Sequence, residues 1–302
     1  MRVFAGRRSA GDRRRGGGRA RRLSVCLGAL GASAALLLLA AGSAGSTDRA
    51  RSVLAAGRGM AIEQLAPAAV APAAVAPAAA APAAGTGQPF SGVAAVGALF
   101  TESNGKLGAH FCTASVVDSA AGDLAVTAAH CVSGKNASLV FVPDYANGKA
   151  PYGVWPVTKV YTDAAWNAGQ DPDHDVAFLR LSDASDGTPI ENLTGAETLA
   201  TDAPAGQQVE VIGYPDQAAE PVWCSGPVKG FSATQFEFDC GGYPDGTSGG
   251  PFLTGVDAAT GQGTVIGVIG GYQQGGDTPQ ISYAAVFGTA VAQLYATAEA
   301  GG

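Results

Sequence analysis

Three short segments hold side chains that could act together on a carbonyl carbon: Val126-Thr127-Ala128-Ala129-His130-Cys131, Asp173-His174-Asp175-Val176-Ala177-Phe178-Leu179-Arg180-Leu181 and Gly246-Thr247-Ser248-Gly249-Gly250-Pro251. They supply an imidazole, a carboxylate and a hydroxyl. A serine hydroxyl is a poor nucleophile at neutral pH unless an imidazole accepts its proton, and that imidazole needs a buried carboxylate to fix its tautomer and stabilise its cation. Gly246 to Gly250 also fits GxSxG, the nucleophile elbow of a different hydrolase architecture in which the histidine follows the serine. The histidines of this chain, His110, His130 and His174, all precede Ser248, which removes that reading and leaves the order His130, Asp175, Ser248.

In that order and at that separation, Thr127-Ala128-Ala129-His130-Cys131 and Gly246-Thr247-Ser248-Gly249-Gly250-Pro251 are specific. From about residue 90 to about 298 the chain resembles a chymotrypsin-like (trypsin-like) serine protease of the bacterial secreted kind. The resemblance implies an all-β fold of two six-stranded antiparallel β-barrels with the active site in the cleft between them. It implies that His130 is the general base, Asp175 its orienting carboxylate and Ser248 the nucleophile of an acyl-enzyme mechanism, with the backbone N–H groups of Gly246 and Ser248 forming the oxyanion hole. Protein or peptide substrates follow, and this chemistry needs neither cofactor nor metal. A protease-fold module that binds without hydrolysing is the alternative, although such relatives lose a triad residue and this chain has all three.

Departures from the family pattern carry further expectations. Animal trypsins place Asp before the nucleophile, where it pairs with the amino terminus freed by activation; here that position is Thr247. Activity is therefore expected not to depend on one free N-terminus, with starts between Thr86 and Ser91 equivalent. By the family's spacing the primary pocket has its floor at Gly242, beside Tyr243, and a wall at Ile269-Gly270-Gly271-Tyr272. The absence of a carboxylate at that floor argues against cleavage after Arg or Lys, so a neutral or apolar residue before the scissile bond (P1) is expected.

These residues must be positioned by strands. Short β-branched runs separated by Gly, Pro, Asn and Asp predict strands over 93–100, 114–117, 139–142, 154–160, 176–181, 209–213, 264–269 and 281–286. One amphipathic helix is expected at the C-terminus, where Val291, Leu294, Tyr295 and Ala298 recur at helical spacing. Cys112, Cys131, Cys224 and Cys240 can pair in three ways. The sequence-near pairing, Cys112 with Cys131 and Cys224 with Cys240, would contribute about 3 kcal/mol per bridge through loop entropy. The resemblance supports the first of these bridges. A zinc site is disfavoured because none of the four lies in CxxC spacing.

Residues 1–58 hold twelve basic and two acidic residues, a net of +10, and the remainder carries −17. The arginines precede an uncharged stretch, Leu23 to Thr47, centred on Leu36-Leu37-Leu38-Leu39 and followed by Gly42-Ser43-Ala44. That order reads as an export signal over residues 1–44, of either Sec or twin-arginine type. Cys26 would leave with it. Pro67, Pro72, Pro77 and Pro82 punctuate an Ala/Val tract, which makes residues 45–89 a propeptide or an extended spacer and residues 90–302 the protease domain. The expected product is a secreted monomer, free of stable membrane insertion after processing, or held to the cell envelope by the spacer. Its acidic body excludes nucleic-acid binding, which needs clustered Lys and Arg. Asp171-Pro172-Asp173-His174-Asp175 lacks the spread of oxygens of a calcium loop and reads as an acidic turn. His110 reads as structural. Asn136 and Asn192 match the glycan acceptor pattern.

Overall fold

The computed structural model describes residues 85–134 and 138–301. The expected export signal over residues 1–44, Cys26, residues 45–84 of the Pro/Ala tract and Asn136 of the glycan acceptor pattern lie outside the described residues. The first seven strands are β1 (Gln88–Pro89), β2 (Val96–Ser103), β3 (Lys106–Val117), β4 (Leu124–Thr127), β5 (Ser138–Pro143), β6 (Trp155–Thr162) and β7 (Ala177–Leu181). The other eight are β8 (Thr198–Leu199), β9 (Gln208–Gly213), β10 (Val222–Pro227), β11 (Lys229–Gly230), β12 (Gln235–Asp239), β13 (Pro251–Thr254), β14 (Thr264–Val268) and β15 (Ile281–Ala285). Helices are sparse: α1 (Ala129–Val132), α2 (Ala164–Gly169), α3 (Glu191–Thr194) and α4 (Thr289–Ala300).

Strands β2-β3-β4-β7-β6-β5 close into an antiparallel barrel. Closure pairs every edge of this unit and leaves no open strand to aggregate. Leu99, Leu124, Phe141, Phe178 and Leu179 of its strands are all fully buried. The second β unit consists of a six-stranded sheet, β1-β10-β9-β13-β14-β8, and a three-stranded sheet, β11-β12-β15. Val209, Val211, Phe236, Phe238, Phe252 and Ile266 pack between them with the bridge Cys224–Cys240. All eight expected strands are present with ends shifted by up to a few residues, β3 starting eight residues before its expected start at 114. The short runs at β4, β10 and β13 are not among the expected strands, nor is β12, where Phe236 and Phe238 alternate with a less buried Glu237. The packed chain also begins upstream of residue 90, because β1 pairs with β10 and Gly87 N–H donates to Gly241 O at 2.7 Å.

Helix α4 buries Val291, Leu294 and Ala298, as its spacing requires, and Tyr295 stacks on Phe178 at 5.4 Å. Arg180, in β7, is buried and anchors this helix: its guanidinium bonds the Asp123 carboxylate and the Ala298 carbonyl. Cys112 in β3 is bonded to Cys131 of α1, and Cys224 to Cys240, so the sequence-near pairing is the one formed. Sequence separations of 19 and 16 residues give each bridge about 3 kcal/mol of stabilisation in the loop-entropy model. Replacing both cysteines of either pair by alanine is expected to cost about that much in chemical denaturation. A loss below about 1 kcal/mol for either pair would contradict this account.

Glu197, in the segment that leads from the barrel into the second β unit, is fully buried. Its backbone is satisfied, N–H donating to Val116 O and C=O accepting from Asp118 N–H, both at 2.9 Å. Its carboxylate is less well served, since one oxygen accepts from Gly263 N–H while Oε1 has no partner among the described residues. Burial accordingly pushes this carboxyl up from 4.5 to about 7. The folded state then holds the proton more tightly than the unfolded chain, so stability falls as pH rises from about 4.5 to about 7 and levels off above it, by up to about 3 kcal/mol. Melting temperature measured across that range should show the slope, and Glu197→Gln should flatten it. An unchanged slope in the variant would assign the effect to other groups.

Candidate active site

His130 sits in the single turn α1, directly after β4, and its position is set from two sides. Cys131 anchors the turn to β3, and Asp175 grips both its backbone and its ring. Asp175 Oδ1 accepts from His130 N–H at 2.8 Å, and Oδ2 lies 2.7 Å from His130 Nδ1. Oδ2 also accepts from Gly271 N–H at 2.9 Å. The Asp175 side chain is wholly inaccessible, whereas His130 remains 14% exposed toward the cleft. With Nδ1 facing a buried carboxylate, the imidazole is held in the tautomer that leaves Nε2 able to accept a proton.

The acid is itself supported by its turn. Residues Pro172–His174 form a 3₁₀ turn whose first N–H group, that of Asp173, donates to Asp171 at 3.1 Å. His174 bonds Asp163, and Asp173 accepts from Gln235 Nε2 at 2.7 Å. Gln235 is buried in β12, and its Oε1 accepts from Tyr272 N–H at 3.0 Å, so one amide ties the acid's turn to the segment after Gly271. Sequence reasoning does not single out Gln235. Its only sequence signal is a polar residue entering a strand that alternates Phe. His110 is structural, as expected: Nε2 lies 2.7 Å from Pro215 O and the ring packs on Phe100 and Tyr145.

Ser248 lies in the turn before β13, half-buried at the cleft. The peptides around it are held almost completely. Asp216 N–H donates to Asp245 O at 2.9 Å, Thr247 N–H to Pro244 O at 3.2 Å, Gly250 N–H to Thr247 O at 3.0 Å, Thr113 N–H to Ser248 O at 2.7 Å and Gly249 N–H to Ile269 O at 2.7 Å. Peptide C=O and N–H groups point in opposite directions, so pinning Asp245 O and Thr247 O aims the N–H groups of Gly246 and Ser248 the other way. Those two donors have no protein acceptor among the described residues. Positive φ makes glycine necessary at two positions here. Gly246 has φ +94° and a Cβ would fall 2.3 Å from Asp216 N, while Gly249 has φ +81° and a Cβ would fall 2.2 Å from Thr113 O. Thr247, where trypsins use Asp, donates its hydroxyl to Pro244 O at 2.8 Å, a local bond that requires no distant amino terminus.

His130 and Ser248 line one cleft of about 660 Å³ with Phe111, Tyr243 and Gly246. No hydrogen bond joins Ser248 Oγ to His130 among the described residues; such contacts in unliganded sites often tighten only around substrate. Of the expected pocket residues, Tyr243 and Ile269 line this cleft, whereas Gly242, Gly270, Gly271 and Tyr272 do not. Gly242 faces the backbone of Gly87, and Gly270 and Gly271 abut Asp175 or Gln235, where a side chain would collide. Tyr272 stacks outside, on Phe231 and Tyr283. Gln273, Gln274, Asp277, Thr278, Pro279 and Asp245 line the cleft as well. The chain curls there because Gln273 and Gln274 both adopt left-handed conformations, at φ +52° and +54°. Residues 85–90 dock beside Gly241, so a start at Ser91 would remove β1 whereas a start at Thr86 keeps it.

A closed β-barrel joined to a second β unit, with histidine, a buried aspartate and a glycine-flanked serine between them, defines the class of chymotrypsin-like serine peptidases. The family model described as Trypsin-like peptidase domain matches residues 112–286, and the chain belongs to that family. Among solved structures, the protease Anisep from Arthrobacter nicotinovorans is 25% identical, with a TM-score of 0.60 over 71% of this chain and 100% of its own. The thermostable serine protease AL20 from an extremophilic microorganism is 28% identical, with a TM-score of 0.59 over 70% of this chain and 99% of its own. A Glu endopeptidase in complex with MPD, 16% identical, shares the fold at a TM-score of 0.55 over 72% of this chain and 97% of its own. No curated protein matches the chain in sequence. Among the described residues no helix is long and apolar enough to cross a membrane.

Proposed function

We propose that the chain is an exported serine endopeptidase whose base, orienting carboxylate and nucleophile are His130, Asp175 and Ser248. The observation that carries this reading is the double grip of buried Asp175 on the backbone and ring of His130, in the cleft that Ser248 lines. Ser248 Oγ attacks the scissile carbonyl carbon as its proton passes to His130 Nε2. The negative oxygen so formed receives the Gly246 and Ser248 N–H groups. Collapse expels the amine, which takes the proton from His130, and leaves an acyl-serine. Water, deprotonated by the same imidazole, then releases the acid and restores the enzyme. The two disulfides and the basic, apolar leader support export, with residues 1–44 removed and the Pro/Ala tract acting as propeptide or spacer.

A neutral or apolar P1 residue fits the cleft best. Tyr243 commits its hydroxyl to Val211 O at 2.6 Å and offers substrate only its ring. Asp245 and Asp277 stand in the wall with no lysine or arginine among the lining residues, which opposes a glutamate side chain. Asp277 is bonded by Gln273 Nε2, which weakens its attraction for a basic one. Peptide-library profiling of the secreted form should give cuts after uncharged residues and labelling of Ser248 by a serine-directed phosphonate. Predominant cleavage after Glu, Arg or Lys would overturn the pocket assignment. Neither cleavage nor labelling would favour a binding module with a protease fold.

A further inference from the structure

One threonine from the opposite β unit holds the two peptides that adjoin the donors of the oxyanion hole. Thr113, in β3 next to the disulfide-bonded Cys112, is fully buried and has every polar atom engaged. Its Oγ1 donates to Gly246 O at 3.1 Å and accepts from Tyr214 N–H at 2.8 Å. Its N–H donates to Ser248 O at 2.7 Å, and its own C=O accepts from Thr127 Oγ1 at 2.7 Å. The two carbonyls it holds belong to the two residues whose N–H groups face the cleft. One of those peptides lies between the donors and the other directly after Ser248, so Thr113 limits both the spacing of the donors and the position of the serine.

We propose that Thr113 is a positioning residue of this enzyme, its side-chain hydroxyl holding the Gly246–Thr247 peptide so that the oxyanion hole is preformed. The inference rests on the reading of Gly246 and Ser248 as the oxyanion donors. A preformed hole stabilises charge that exists only in the transition state, so its loss lowers kcat with little change in KM. Removing the hydroxyl leaves Gly246 O without its bond and Tyr214 N–H without an acceptor, and the Gly246–Thr247 peptide is then held from one side only, through Thr247 N–H to Pro244 O. Loss of an entire oxyanion donor costs about 10²–10³ in rate, and misaiming one should cost roughly 10–100-fold.

Thr113→Val keeps the branched shape and removes the hydroxyl, while Thr113→Ser keeps the hydroxyl and removes the methyl. With a chromogenic peptide ester, Thr113→Val is expected to lower kcat roughly 10–100-fold with KM within about threefold of wild type. Thr113→Ser should recover most of the rate. The infrared carbonyl band of the acyl-serine reports hydrogen bonding to the oxygen, and it should shift to higher frequency in Thr113→Val and stay near wild type in Thr113→Ser. Should Thr113→Val fail to fold, Thr113→Ala compared with Thr113→Ser isolates the hydroxyl, since both lack the methyl. Wild-type kcat and band position in the hydroxyl-free variant would overturn the proposal, as would equal losses in the serine variant. Wild-type enzyme that neither hydrolyses the ester nor accepts a phosphonate would instead overturn the underlying serine-peptidase site.

Discussion

Ser248→Ala is expected to lower kcat on peptide substrates by roughly 10⁶-fold while leaving the folded protein intact. The size of the effect follows from the chemistry, because without Oγ there is no acyl-enzyme and the cleft can only bind a peptide and polarise its carbonyl. The fold should survive because the structural bonds at this position belong to the backbone. Ser248 O accepts from Thr113 N–H, and the neighbouring Gly249 N–H donates to Ile269 O, neither of which involves the side chain. Steady-state hydrolysis, phosphonate labelling and thermal melting of the two proteins check the three parts separately. Retention of more than about 1% of the wild-type rate, after contaminating protease is excluded by active-site titration, would remove Ser248 from the mechanism.

The second large effect is expected at Asp175, where Asp175→Asn should lower kcat by about 10⁴. Here the geometry explains why an isosteric change is so damaging. Asp175 accepts three N–H donors, His130 N–H at Oδ1 and both His130 Nδ1 and Gly271 N–H at Oδ2. An asparagine has one oxygen and one NH₂ group to meet them. With its oxygen in the Oδ2 position, the NH₂ group confronts the His130 backbone N–H. Turned over, it donates to Nδ1 and places the ring proton on Nε2, where the serine proton must go. Both orientations lose the charge that stabilises imidazolium. A rate within about tenfold of wild type at neutral pH would show that the carboxylate does not serve His130. Comparison with His130→Ala and the double variant would reveal the strong non-additivity expected of groups that act as a unit.

Much of the site is legible in the linear chain, and for specific reasons. The imidazole, carboxylate and hydroxyl lie in segments whose neighbours are themselves constrained. Gly246 and Gly249 need positive φ in a crowded turn, and Cys131 needs a partner at Cys112. Such local requirements leave marks in consecutive residues. The eight expected strands are legible because β-branched runs bounded by turn residues are also local marks. Strands β4, β10 and β13 are not, since Leu-Ala-Val-Thr, Val-Trp-Cys-Ser-Gly-Pro and Pro-Phe-Leu-Thr have no clear alternation and become strands only by pairing with neighbours.

The pocket wall is the largest departure. Residue spacing carried from the family places it at Ile269 to Tyr272; Ile269 lines the cleft, but consecutive left-handed residues at Gln273 and Gln274 curl the chain after it. The cleft is consequently lined by Gln273 to Pro279, while Gly271 turns its N–H to Asp175 and Tyr272 joins an outer aromatic cluster. A turn of that kind depends on what packs against it, here Gln235 from a separate strand, and nothing in the local sequence of 269–279 encodes that partner.

By itself, the sequence determined which functional groups this peptidase has, their order along the chain, the four cysteines that follow residue 58, and the division between a basic N-terminal segment and an acidic remainder. Residue identity, local backbone permissiveness and composition are enough to establish each of these. Tertiary structure alone decided which atoms meet: Gly271 N–H and His130 on Asp175, Gln235 between two loops, Thr113 beneath the peptides at Ser248. These contacts join residues from about 40 to more than 130 positions apart and require hydrogen-bond placement within a few tenths of an ångström. Only barrel closure and strand register, which are properties of the packed chain, supply that placement.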